Sequence, residues 1–472
     1  MRTGARPRLS GRLGTASIVF MVLAAAAPLT VIGGNVPLAI GLGNGAGAPV
    51  GFLIAAAVLL IFSVGFVAMT PHVTRPGAFS AYVQRGLGEV PGGGTAFLAL
   101  AAYTAIQAGI WGYLGGAASG FLQHHLGAAP PWWACSAVLL VLVGVLGYRR
   151  IELSSKVLGV ALVCELGIVL VLDAAILAGG GASGISGASF TPAEIGSGPL
   201  GIAVLFSITG FIGFEATAVF RHEVRDPDRS IPRATYTAVL IIGLFYALSS
   251  WSIVEGWGVA AVRERARQSP DDLMLATAER YLGPVAGDVL QVLLLTSLVA
   301  CVLSFHNVLA RYQFALAGRG SLPAALGRVH PRHGSPATSS LVQTATAAAL
   351  IALFAVLGLD PLTEIFGSMA GVATLGVVLL MLLTSVAALV FFARERPAGT
   401  GRVRRLTPAA AIAVLLVALW LVVSHFPLVA DSSVAAAYGL GAIPVLAFGL
   451  GCLLTYRQLT ARARRRPAPP DR

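Results

Sequence analysis

The sequence predicts an all-α integral membrane protein of about twelve transmembrane helices, and three observations carry that expectation. Hydrophobic residues make up 56% of the 472 and charged residues only 11%, whereas a soluble domain carries about 25% charged residues. Apolar runs recur from Gly14 to Tyr456, each near the roughly 20 residues that cross a hydrocarbon layer of about 30 Å. The basic residues also alternate as successive crossings require. With the N-terminus in the cytoplasm, 28 of the 32 Lys and Arg fall on inner segments, leaving Arg263, Arg265, Arg267 and Arg280 outside. That is the positive-inside bias. The net charge of +12 is therefore a topology signal rather than a nucleic-acid surface.

The expected spans are 15–43, 48–70, 95–122, 133–150, 155–178, 199–221, 234–257, 284–314, 337–358, 361–393, 408–426 and 434–456. Residues 1–13 form a cytoplasmic tail, 14–178 a first five-helix repeat and 179–198 a Gly/Ser-rich outer loop whose one charge is Glu194. Residues 199–393 form a second five-helix repeat, 394–457 the last two spans and 458–472 a basic cytoplasmic tail. The arginine-rich start followed by Ala24–Ala27 resembles a secretory signal. The apolar stretch runs well past the alanines, so a retained helix is expected.

Two spans carry interruptions. The first contains Pro28, Gly33-Gly34, Asn35 and Pro37; the sixth contains Gly210 and Gly213 within Ser207–Glu215. Proline lacks an amide donor and glycine loosens a helix. In hydrocarbon such a break survives only where the freed backbone groups meet protein, water or ligand. The second interrupted span comes five spans after the first, so the interrupted helices run in opposite directions. Inverted repeats with a binding site between their broken helices give this pattern. Residues 258–283 are the largest outer segment, with a short amphipathic helix expected. Cys135, Cys164, Cys301 and Cys452 fall inside spans without metal-ligand spacing and are expected as small buried hydrophobes.

Four stretches resemble the amino acid–polyamine–organocation superfamily of permeases. They are Leu13-Gly14; Thr70 to Val83 ending at Gly86-Leu-Gly88; Phe211-Ile-Gly-Phe-Glu215 with Glu223–Pro227 and Ser230–Ala234; and Asn307–Tyr312 with Gly318, Gly320, Leu322-Pro323 and Val329-His330. The resemblance implies a leucine-transporter-like fold of two inverted five-helix repeats, working by alternating access. Substrate would then lie against the unwound backbone of helices one and six, at Ala25, Ala26, Ala27, Pro28, Leu29 and Thr30, and at Gly210, Phe211, Ile212, Gly213 and Phe214. A half-helix N-terminus suits a carboxylate and a half-helix C-terminus an ammonium. An amino acid could use both, and no Asp, Glu, Lys or Arg lies between Leu13 and Gly47. Many members show a Gly-small-Gly element in helix one, where this chain has Ala24–Ala27. Several proton-coupled members carry a lysine midway along helix five, where this chain has Glu165.

Glu165 and Glu215 are the candidate ion-coupling residues. An ionised carboxylate at such depth is costly, so each is protonated, paired or cation-bound, with protons favoured over sodium. Tyr103 and Gln107 sit one turn apart on one face and, with Phe305, are candidate pocket residues. His306 is expected in an interhelical hydrogen bond; Asp173, Asp360 and Asp431 are expected solvated at outer ends. The expected function is a secondary active amino acid permease that drives uptake by proton coupling through these two acids; a polyamine or organic amine permease and an exchanger are alternatives, a channel or receptor a distant one. No HExxH or GxxxxGK[ST] pattern occurs, so neither a metallopeptidase nor a nucleotide-driven pump is expected. No cofactor or metal is expected. The partners are a small-molecule substrate, protons and membrane lipid. A single lysine, Lys156, among many arginines suggests a GC-rich bacterial genome and hence a cytoplasmic membrane.

Overall fold

The computed structural model describes residues 14–73, 78–149, 155–215, 226–331, 334–395, 402–429 and 434–464. Every regular element among them is helical. The main helices are α1 (Thr15–Ala25), α2 (Ala48–Met69), α3 (Ala78–Leu87), α4 (Glu89–Leu126), α5 (Trp132–Tyr148), α6 (Ser155–Ala178) and α7 (Leu200–Thr209). They continue with α8 (Pro227–Trp257), α9 (Val262–Gln268), α10 (Leu273–Leu282), α11 (Pro284–Arg319), α12 (Ala337–Leu357), α13 (Gly367–Glu395), α14 (Arg402–Val429) and α15 (Val434–Arg464).

Among the described residues, nine helical stretches are long and apolar enough to cross a membrane, and α5 and α7 are shorter apolar helices. One of the nine, Thr15–His72, runs 58 residues, more than twice what a single crossing needs. It bends where Gly43 leaves helical geometry and Gly45 takes φ +60°. Residues 216–225, including Glu223–Arg225 of the sixth-helix motif, and residues 74–77, lie outside the described residues, as does Asp431.

Burial sorts the helices into a centre and a rim. Of the most apolar window of α4, 83% is buried, against 28% for α14 and 17% for α15. Around α4 pack α5, α11, α13 and α15; α2 packs on α7, α8 and α14. Small residues allow the closest approaches, as is usual between membrane helices. A Cβ on Gly115 would sit 2.2 Å from Ser136 Oγ of α5, and one on Gly112 would sit 2.8 Å from the Pro361 carbonyl.

Three expectations need correction. Asp173 is not solvated: it is 3% exposed and accepts a 2.7 Å hydrogen bond from Ser249 Oγ of α8. Cys164 is exposed and Cys452 half-buried, whereas Cys135 and Cys301 are buried. Position along a span gives depth but not the side a residue faces, and a thiol is apolar enough for lipid or protein. By contrast, His306 Nε2 meets Ser340 Oγ of α12 at 2.9 Å, the interhelical bond expected. Residues 258–283 hold two short helices, α9 and α10. Burial pushes the Arg263 guanidinium there down from its ordinary value, with Arg267 adding to the effect. It donates to the carbonyls of Ser197 and Gly43.

Candidate functional site

The first interruption falls at Ala26–Ala27. Up to that point α1 is an ordinary helix: Ala26 N–H reaches the Val22 carbonyl, then Ala27 N–H reaches only back to Ala24. Ala27 adopts φ +45°, ψ +67°, a left-handed geometry that costs a residue with a Cβ roughly 1–2 kcal/mol. Pro28 restarts the helix at its first position, where a missing amide donor costs nothing. Residues 31–35 and 39–44 then wind in the wider π manner. The expected disruption at Gly33-Gly34 is thus a widened helix, and the true break lies at the alanines before Pro28.

The second interruption begins where α7 ends at Thr209. Phe211, Ile212 and Phe214 N–H groups each reach three residues back, to Ile208, Thr209 and Phe211. Gly213 takes φ +111°, which a side chain rarely allows, and its N–H donates to Glu215 Oε2 at 3.0 Å. Tyr103 of α4 donates its hydroxyl to Glu215 Oε1 at 2.5 Å. The Glu215 side chain therefore ties the turn to α4.

The two interruptions meet. A Cβ on Gly213 would lie 3.6 Å from Ala25 Cβ, and one on Gly210 would lie 2.9 Å from Val31 Cγ1. Asn35 Nδ2 donates to the Phe206 carbonyl at 2.8 Å, and the Tyr246 hydroxyl reaches the Ala26 carbonyl at 3.4 Å. Between them lies a small pocket of about 30 Å³, room for roughly one or two waters. Its wall combines Ala25, Ala26, Ala27 and Thr30 from the first break with Thr209 and Ile212 from the second, and Cys301 and Phe305 from α11. Thr30 Oγ1 is buried and has no hydrogen-bond partner among the described residues.

The remaining candidates sit around this pocket rather than on it. Pro28 and Leu29 are buried without lining it. Phe211 packs edge-on to Tyr246, and Phe214 edge-on to Phe62. Gln107 donates to the Val302 carbonyl and accepts from Gln343, which in turn accepts from Gln313. Its amide belongs to a polar chain joining α4, α11 and α12. Sequence reasoning passed over Tyr246, Thr209 and Cys301. Nothing in their local pattern marks them, because their role comes from helices distant in sequence.

Glu165 of α6 also meets the first break. It is buried, accepts from Ser297 Oγ of α11 at 2.9 Å and also from the Leu29 amide. A carboxylate thus caps the restarting half-helix, the position a helix N-terminus favours. A groove of about 730 Å³ opens beside it, lined by Ala24, Ala27 and apolar residues of α6 and α11. Ala27 therefore forms part of both the pocket and the groove.

At the end of the bundle that carries residues 258–283, a vestibule of about 410 Å³ reaches down to Tyr113, Leu294 and Leu362. The Tyr113 ring covers Gly33 and Gly34 of the first interrupted helix and packs on Phe366, which lines the pocket. Tyr113 and Phe366 together separate the vestibule from the pocket.

Residues 17–462 match the family model described as amino acid permease. An uncharacterized transporter of Mycobacterium tuberculosis is 31% identical over 247 residues, covering 52% of this chain and 50% of that protein. The branched-chain amino acid permease of Bacillus subtilis is 24% identical over 310 residues, 62% of this chain and 64% of that one. A probable GABA permease of Pseudomonas aeruginosa is 27% identical over 149 residues, 30% and 29% of the two chains. The aligned part spans about half the length of the mycobacterial relative.

Proposed function

Because this chain belongs to the amino acid permease family, a family of transporters and not of enzymes, we propose that it is a secondary active transporter of neutral amino acids. It works by alternating access in a bacterial cytoplasmic membrane, with both termini in the cytoplasm. Twelve crossings, with residues 14–178 and 199–393 as inverted five-helix repeats, place the two interruptions at mid-membrane. The observation that carries the reading is the pocket where both breaks converge, with Thr30 Oγ1 buried there and unpartnered. A solute carboxylate or ammonium would satisfy that hydroxyl and the neighbouring peptide groups without a fixed charge.

The pocket wall supports a neutral substrate with an apolar side chain. Ile106, Ile110, Ile212, Phe305 and Phe366 supply the apolar surface, Thr30, Asn35 and Thr209 the polar groups. No carboxylate of the described residues lines it, which disfavours a diamine. At about 30 Å³ the pocket has room for no more than water, so loading requires the helices to part. Glu165 and Glu215 are the proton-coupling groups of this proposal. Each binds the backbone of one interruption, through Leu29 and Gly213, so gain or loss of a proton acts directly on a break.

A thermal-shift screen of the purified protein against amino acids and diamines, at two pH values with and without sodium, tests this. Stabilisation by at least one neutral amino acid, independent of sodium, is the expected result. Stabilisation by diamines alone would overturn the substrate class, and dependence on sodium would overturn the proton.

A further inference from the structure

We propose that His124, His125 and Asp288 form a binding site for a divalent transition-metal cation of the zinc class at the rim of the vestibule. The two histidines occupy the last turn of α4, and Asp288 lies in the first turns of α11. Their donor atoms all lie within 4.8 Å of one another. His124 Nε2 is 3.4 Å and His125 Nε2 3.8 Å from the same oxygen, Asp288 Oδ1. Ligands bound tetrahedrally to zinc at 2.0–2.1 Å stand about 3.3 Å apart. The two histidine–aspartate separations therefore lie within about 0.5 Å of the edge of such a tetrahedron, and the third donor pair stands within 4.8 Å. Two imidazoles and one carboxylate form a borderline donor set, which suits zinc and disfavours magnesium or calcium.

The surroundings favour a cation at this point. The C-terminus of a 38-residue helix turns its negative end toward the histidines. Phe121 packs on the His125 ring with centroids 4.4 Å apart, which limits its rotation. Glu279 lies against Gly287, the neighbour of Asp288, and Asp271 and Asp360 line the same vestibule. The vestibule's basic residue, Arg267, is turned to the Gly41 carbonyl at 2.9 Å. The fourth coordination position is open to water, because His124 is 56% and Asp288 45% exposed. A bound ion would clamp the end of α4 to the start of α11 beside the vestibule, whose wall includes His124.

The test is calorimetric titration of tag-free, chelator-stripped protein in detergent with zinc chloride, and separately with magnesium chloride. Wild-type protein is expected to take up one zinc ion saturably and to give no magnesium heat. His124→Gln, with His125→Gln, and separately Asp288→Asn, should weaken zinc binding by about tenfold or more. Metal-free melting temperatures should stay at the wild-type value, because the three side chains are solvent-facing. Absence of saturable zinc binding, or equal binding by the double histidine variant, overturns the proposal. Equal affinity for magnesium overturns the assignment of metal class. Each readout is independent of transport, so failure here leaves the proposed function untouched.

Discussion

Replacing Thr30 by valine separates the stability of the empty protein from its affinity for solute. The two side chains are nearly isosteric, and the Thr30 side chain is buried with its hydroxyl unpartnered among the described residues. Burying a hydroxyl without a partner costs about 1–3 kcal/mol in proteins, so its removal should leave the empty protein as stable as before or more so. In the loaded protein the same oxygen meets a charged end of the amino acid, a bond contributing about 1.5–3 kcal/mol. The variant should therefore bind the best solute of the thermal-shift screen roughly 10- to 150-fold more weakly. Calorimetric titration gives the affinity and ligand-free melting the stability. An affinity within twofold of wild type would refute the reasoning. So would a marked fall in ligand-free melting temperature, which would make Thr30 a structural residue.

The other expectations concern the groups that hold the interruptions. Gly213→Ala adds a Cβ into ordinary contact distance of Ala25, so its cost is the strain of φ +111°, of order 1–3 kcal/mol; reduced melting temperature and weaker solute binding should follow together. Tyr103→Phe removes the hydroxyl that donates to Glu215 and leaves a buried carboxyl oxygen short of a partner, a loss of about 1–3 kcal/mol visible in denaturation of the detergent-solubilised protein. Glu165→Gln keeps an acceptor for Ser297 or Leu29 but has no proton to release. Uptake into proteoliposomes driven by an imposed pH gradient should vanish, while solute counterflow persists; gradient-driven uptake at the wild-type rate would remove Glu165 from the coupling scheme.

The two interruptions were legible in the sequence because proline and glycine act locally. Pro28 fixes the restart of the first helix, and Gly213 supplies a φ that other residues avoid, whatever surrounds them. The position of the first break was less legible. Pro28 and Gly33-Gly34 both suggested it, and the resemblance put the unwound stretch at Ala25–Thr30; the break falls on Ala26–Ala27, and the two glycines make room for the Tyr113 ring. Facing was the hardest property to read. In a soluble protein a polar–apolar alternation marks the inner side of a helix, but both sides of a membrane helix are apolar. Cys164 and Cys301 therefore look alike in sequence, although one is exposed and the other lines the pocket. Asp173 was expected solvated and is instead buried, because its partner Ser249 comes from another helix.

Cys301 offers the most direct view of the pocket between the interruptions. Its thiol lines that pocket, whereas Cys164 lines the groove beside Glu165. Mass spectrometry after timed treatment with N-ethylmaleimide reads both in one sample. With a saturating neutral amino acid present, alkylation of Cys301 should slow while that of Cys164 stays unchanged. Unaltered Cys301 labelling, in a protein that the same amino acid demonstrably stabilises, would place the solute elsewhere and contradict the account.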